Sequence, residues 1–194
     1  MFNKQLSVYR TEKAGIGGRR NHMKLIQATE QDFERTARFY RDAIARTAHM
    51  DTCARWVYGK HPTDAMLRGY IERGVLYLGK QDGSLVSAVA VTPQQEDYHD
   101  TQWALPLADD EVAVVHLLCV APDCQGKGIG HETMQQVIAR SRTAGKRAVR
   151  LDALTSNTLA HRLYESLGFC RRGQQRWYTD NVGWADFFLY ELVL

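Results

Sequence analysis

The segment Val120-Ala121-Pro122-Asp123-Cys124-Gln125-Gly126-Lys127-Gly128-Ile129-Gly130-His131 leaves an apolar strand-like run and at once opens a helical one. A loop of this kind exposes backbone N–H groups, and its glycines remove the Cβ atoms that would block close approach. The helix N-terminus adds about half a positive charge, so the chemistry on offer is the binding of a pyrophosphate. A Walker A loop would need Gly where Ala121 stands and Ser or Thr where Gly128 stands. A GxGxxG dinucleotide fingerprint would need Gly in place of His131, although Asp152 imitates its ribose-binding acid. Four cysteines (Cys53, Cys119, Cys124, Cys170) form no CxxC pair and no zinc-spaced Cys/His cluster, which reads as free thiols and no metal.

The elements around the loop are legible. Met23 to Ala28 reads as a strand, and Thr29 with Asp32 is a capping-box-like helix start. Phe33, Ala37, Tyr40, Ile44 and Ala48 then recur at helical spacing. A second helix spans about 63–73 with Met66, Leu67, Tyr70 and Ile71 inward. Strands at 75–80 and 85–92 flank an Asp82-Gly83 turn and form an antiparallel hairpin. Residues 93–110 read as a long polar loop with no element of its own. Beyond it come a strand at 111–120, a helix at 128–144 with Met134, Val137, Ile138 and Ser141 inward, a strand at 148–153, a helix at 158–167 ended by Gly168, and two C-terminal strands. On strict alternation Val112, Val114, His116, Leu118 and Val120 share one face of the fourth strand. The order predicts an α/β (α+β) fold: a mixed, mostly antiparallel sheet of about 6–7 strands flanked by about four helices.

The chain has 194 residues, with 44% hydrophobic and 24% charged side chains and a net charge of +3. That is enough for one core, expected over residues 23–194 behind a flexible extension at 1–22. No run reaches the ~18 apolar residues of a membrane span. Six basic residues against Glu12 in the first 24 leave the remainder slightly acidic, so the basic charge belongs to an arm and argues against a nucleic-acid partner. The arm lacks a signal-peptide core, and the expected location is the cytoplasm.

Gln125-x-x-Gly128-x-Gly130 resembles the (Q/R)xxGx(G/A) motif of the GCN5-related N-acetyltransferase superfamily. Leu118-Cys119-Val120-Ala121-Pro122 upstream and Asn157, Ala160, Leu163-Tyr164-Glu165 and Gly168-Phe169 downstream resemble the family's flanking pattern, in the same order. The resemblance implies acetyl-CoA as cosubstrate, held between the fourth and fifth strands by Leu118, Cys119 and Val120, by the loop Gln125, Gly126, Lys127, Gly128, Ile129, Gly130 and His131, and by Asn157. Lys127 reads equally as a solvated loop lysine and Asn157 as a helix N-cap. Tyr164 matches the family tyrosine beside the cofactor sulfur, where a phenol donates to the departing thiolate. The family's usual glutamate is absent at Val114, whereas His116 stands where some members carry a histidine base; its plain alternative is a core histidine. The implied reaction is acetyl transfer from acetyl-CoA to a small-molecule or peptide primary amine by direct attack, in a monomer or homodimer. A non-catalytic acyl-CoA-binding or regulatory module is the alternative, needing neither Tyr164 nor a base. Finally, residues 81–126 hold eight acids and no Lys or Arg, six of the acids between Glu96 and Glu111. If that loop lines the acceptor side, it favours cationic amines.

Overall fold

The computed structural model describes residues 22–93, 98 and 101–194. All but the last residue of the expected N-terminal extension lies outside these. The first strand is β1 (Lys24–Gln27). The Asp32 carboxylate accepts from the Thr29 backbone N–H and hydroxyl, both at 3.0 Å, and a short 3-10 turn leads into α1 (Phe33–Arg46). α1 buries Phe33, Thr36, Ala37, Tyr40 and Ala43. Two residues expected on that face differ: Ile44 is half-buried and Ala48 exposed, because the helix ends when Thr47 turns extended. In α2 (Asp64–Glu72) the Thr63 hydroxyl caps the first turn by accepting from the Met66 N–H. Asp82 and Gly83, both at positive φ, close the tight hairpin of β2 (Leu76–Gln81) and β3 (Ser84–Thr92). Then follow β4 (Val112–Val120), α3 (Ile129–Thr143), β5 (Ala148–Leu154), α4 (Thr158–Ser166), β6 (Cys170–Thr179) and β7 (Gly183–Val193).

The seven strands form one sheet in the order β1-β2-β3-β4-β5-β7-β6. Every pair is antiparallel except β4–β5, the one pair joined by a helical crossover, α3. Phe33, Ala37, Tyr40, Leu67 and Ile71 pack one face of the sheet, and Ile129, Met134, Val137, Ile138 and Tyr164 pack the other. Side chains of α3 also cover the outer edge of β1: Glu132 and Gln136 accept from the Met23 and Leu25 amides, and Arg140 donates to the Leu25 carbonyl.

The fourth strand departs from the alternation expected of it. Ala90 pairs with His116 but Ala88 with Cys119, so Leu117 and Leu118 oppose the single residue Val89, and Leu117 takes φ 53°. This is a β-bulge. His116 keeps the face of Val112 and Val114, but Leu117 and Cys119 now share that face, while Leu118 and Val120 turn to the α3–α4 side. The Tyr40 hydroxyl donates to the Leu117 carbonyl at 2.8 Å in the core, satisfying a group the ladder has released. Tyr40→Phe removes that donor and should lower unfolding free energy by about 1–2 kcal/mol, measured by denaturant titration.

Residues 93–110 correct a second expectation. Residues 94–97, 99 and 100, which include Glu96, Asp97 and Asp100, lie outside the described residues. The rest is not a polar loop: Tyr98 and Leu107 are buried, with Trp103 and Leu105 against Val112, Val114, Ala148 and Leu189. A buried ion pair, Arg150–Glu191 at 2.9 Å, anchors it. Arg150 donates to the Leu105 carbonyl and lies over the Trp103 ring, and Glu191 accepts from the Ala104 N–H.

Candidate active site

Pairing between β4 and β5 stops at Val115–Leu151, although the strands run on to Val120 and Leu154. Beyond that point they splay, and the gap opens into a cavity of about 660 Å³. Ala121 donates its N–H to Val86 on β3. By strand alternation, Cys119 also directs its backbone toward β3, leaving Leu118 and Val120 to present N–H and C=O groups to the opening. The Val120 carbonyl accepts from the Gln125 amide there, and the same amide donates to Thr47 at the end of α1. Cys119 is buried in the α1–α2 core, where burial pushes its thiol up to about 12.

At one end of the cavity lies the glycine loop. The first bond within α3 runs from the Glu132 N–H to the Gly128 carbonyl, so the amides of Ile129, Gly130 and His131 have no intrahelical acceptor. Gly126 and Gly128 hold φ 71° and 84°, and a Cβ on either would meet no atom within 4 Å, projecting into open space. Gly130 differs: a Cβ there would come into van der Waals contact with Leu163 Cδ2 at 3.4 Å, where α3 meets α4. Ile129 buries its side chain. His131 lines the cavity, whereas Lys127 is exposed outside it. The Asn157 carbonyl oxygen accepts from the Ala160 N–H, which makes it the N-cap read for it, and the residue also lines the cavity. Together these features fit a diphosphate and its pantetheine arm: helix N-terminal amides with no intrahelical acceptor, beside strand backbone that β5 does not pair.

Deeper in the cavity are His116 and Tyr164. The His116 ring stacks on Tyr70, and its Nε2 lies 3.0 Å from Thr92 Oγ1. Burial, with His61 adding to it, lowers the imidazole to about 4. Tyr164 on α4 is buried and tilts against Phe169 and Tyr190. Burial foremost, then the charge of Asp152 and Tyr190, raises its phenol well above the ordinary value. The acids at the entrance of β4 stand apart: Glu111 pairs with Arg147 at 2.7 Å, and neither it nor Asp110 lines the cavity.

Two groups in the cavity wall, Asp152 and Thr179, were not singled out as acceptor-side residues from sequence. Asp152 is the first β5 residue beyond the last β4–β5 pair; the register sets it across the gap from His116, on the same face. It accepts from the Tyr98 hydroxyl, and burial raises its carboxyl above the usual range despite that bond. The Thr179 hydroxyl is buried with no hydrogen-bond partner among the described residues. The one sequence signal was an acid inside the otherwise apolar end of β5. Among the described residues no group of three His, Cys, Asp or Glu side chains is placed to hold a metal, and no helix is long and apolar enough to cross a membrane.

Comparison with known proteins gives a consistent picture. The family model described as the acetyltransferase (GNAT) family matches residues 44–169. A Bacillus subtilis (strain 168) protein named uncharacterized N-acetyltransferase YesJ is 24% identical over 140 residues, covering 67% of this chain and 77% of that protein. An acetyltransferase of the same family from Streptococcus agalactiae superposes with a TM-score of 0.73 at 18% identity, over 89% of this chain and 95% of its own. The acetyltransferase yncA from Salmonella typhimurium, solved with acetyl-CoA, superposes with a TM-score of 0.63 at 20% identity, over 89% and 94%.

Proposed function

Since the chain belongs to the acetyltransferase (GNAT) family and is an acyl-CoA-dependent N-acetyltransferase, we propose that it holds acetyl-CoA in the gap between β4 and β5 and passes the acetyl group directly to a primary amine. The observation that carries this reading is the end of β4–β5 pairing at Val115–Leu151 beside the amides of the Gln125–Gly130 loop. Leu118 and Val120 bond the pantetheine arm, and the amides from Gly126 to His131 receive the pyrophosphate. The acceptor nitrogen attacks the thioester carbonyl. A C–N bond forms, the C–S bond breaks, His116 takes the nitrogen's proton, and the Tyr164 phenol protonates the leaving thiolate. The Cys119 thiol, held protonated by burial, supports attack without an acyl-enzyme. Initial-velocity lines at varied amine should therefore intersect; parallel lines would bring in a thioester at Cys53 or Cys124, which also line the cavity.

The burial of His116 revises what its pH dependence should be. An unperturbed imidazole would impose an acidic limb near pH 6.5. With the value lowered to about 4, the imidazole is already neutral at pH 6, and activity falls through this group only as the pH approaches 4. So weak a base contributes modestly. His116→Ala should lower kcat/KM by about tenfold, by the same factor from pH 6 to pH 8. The pH profile of kcat/KM checks this, and an unchanged value returns the proton to water or to Asp152.

A further inference from the structure

We propose that Asp152 and Thr179 are the acceptor-binding groups of this enzyme and that the acceptor is a compact monoamine: a primary ammonium on an aromatic or branched apolar body with at most one further hydrogen-bonding group. The inference rests on the acetyltransferase reading and specifies its second substrate.

The half of the cavity away from the glycine loop is built from rings. Trp56, His61 and Tyr70 line it from the α1–α2 side, and Tyr98, Trp177 and Phe187 from the other. These walls are braced: Trp177 stacks on Tyr98 at 5.9 Å and 9°, Trp177 meets Phe187 at 5.3 Å, and Trp56 meets His61 at 5.8 Å. Rings fixed in this way offer apolar and cation–π surface and little else. Among them, beside His116, stand an acid, Asp152, and a hydroxyl, Thr179. The Asp152 carboxylate is aimed by the Tyr98 hydroxyl, making Tyr98 its positioning residue. The buried Thr179 hydroxyl has no hydrogen-bond partner among the described residues, and such a group costs free energy unless a ligand meets it. One carboxylate matches one ammonium, which sheds a proton to Asp152 or to water before its nitrogen attacks. Further charges, as in a polyamine or an acidic amino acid, would enter ring-lined space without a counter-charge.

Segments bordering the chamber are also tied to one another. Ser156 Oγ donates to the Thr52 carbonyl at 2.7 Å, and Asn181 Nδ2 to the Arg55 carbonyl at 2.9 Å. These bonds tie the segment between α1 and α2 to the β5–α4 and β6–β7 connections, both of which line the cavity. Of the described acids before β4, Asp109, Asp110 and Glu111 do not line the cavity, and Glu111 is paired with Arg147.

The test is a competition panel of 2-phenylethylamine, spermidine, L-glutamate and a short peptide with a free N-terminus, read by CoA release, with acetyl-CoA affinity measured in parallel by calorimetry. The expected result is kcat/KM for 2-phenylethylamine at least about tenfold above the other three. Asp152→Asn should raise its KM by about tenfold to a hundredfold while the acetyl-CoA Kd stays put. Thr179→Val, which only removes an unpartnered hydroxyl, should leave Tm unchanged or higher. It should raise KM for a hydroxylated analogue, tyramine, relative to 2-phenylethylamine. Preference for spermidine, glutamate or the peptide, or an Asp152→Asn enzyme with unmoved KM, would overturn this assignment while acetyl-CoA binding kept the broader reading intact. Failure of the wild-type protein to bind acetyl-CoA would overturn both.

Discussion

Tyr164→Phe lowers kcat by about tenfold to a thousandfold and leaves acetyl-CoA binding nearly intact, the range expected when a positioned acid is lost. The substitution removes one oxygen and keeps the ring, which is gripped between Phe169 and Tyr190 in the α3–α4 core, so the fold has no reason to change. Burial holds the phenol well above its ordinary value, and it therefore carries its proton at every working pH. In the ground state that proton has little to do. It matters when the tetrahedral intermediate collapses and charge gathers on sulfur, so the loss falls on kcat rather than on binding. Single-turnover rates with saturating amine, beside calorimetric Kd values, separate the two. A variant with wild-type kcat would leave Tyr164 as a packed aromatic of α4 and nothing more.

Gly128→Glu abolishes acetyl-CoA binding. Gly128 is the N-cap of α3 at φ 84°, where its neighbours' amides converge, and a side chain there projects into the opening. A glutamate sets a carboxylate where a pyrophosphate belongs and strains a left-handed backbone position as well. For the wild type, acetyl-CoA at a hundredfold excess over its Kd should stabilise the fold by about 2.7 kcal/mol, whereas NAD and ATP should not. Thermal melts read the difference directly. Gly128→Ala serves as control: its Cβ meets nothing, so it carries the backbone strain without the charge, and it should weaken binding without abolishing it. If the glutamate variant still melted higher with acetyl-CoA, the loop would not be the diphosphate site.

The glycine loop, the Asp82-Gly83 hairpin and the four helices were legible in the sequence because each depends on local requirements: positive φ where only Gly or Asp sits easily, a capping side chain, a period of 3.6 or 2. Those same local signals, with the residues around Tyr164, were enough to indicate the fold and the acetyltransferase family. The tertiary structure decided what depends on neighbours far away in the chain. No residue type marks Leu117 as a bulge, since an extra residue in a strand becomes visible only against the partner strand, so alternation alone grouped His116 with Leu118 and Val120. The polar look of 93–110 hid an anchored loop, because Arg150 and Glu191 meet only when β5 pairs with β7. The basicity of His116 and the placement of Asp152 and Thr179 in the wall of one chamber were likewise set by packing. Burial fixes the first, and the end of β4–β5 pairing creates the space for the others, neither of which a single sequence records.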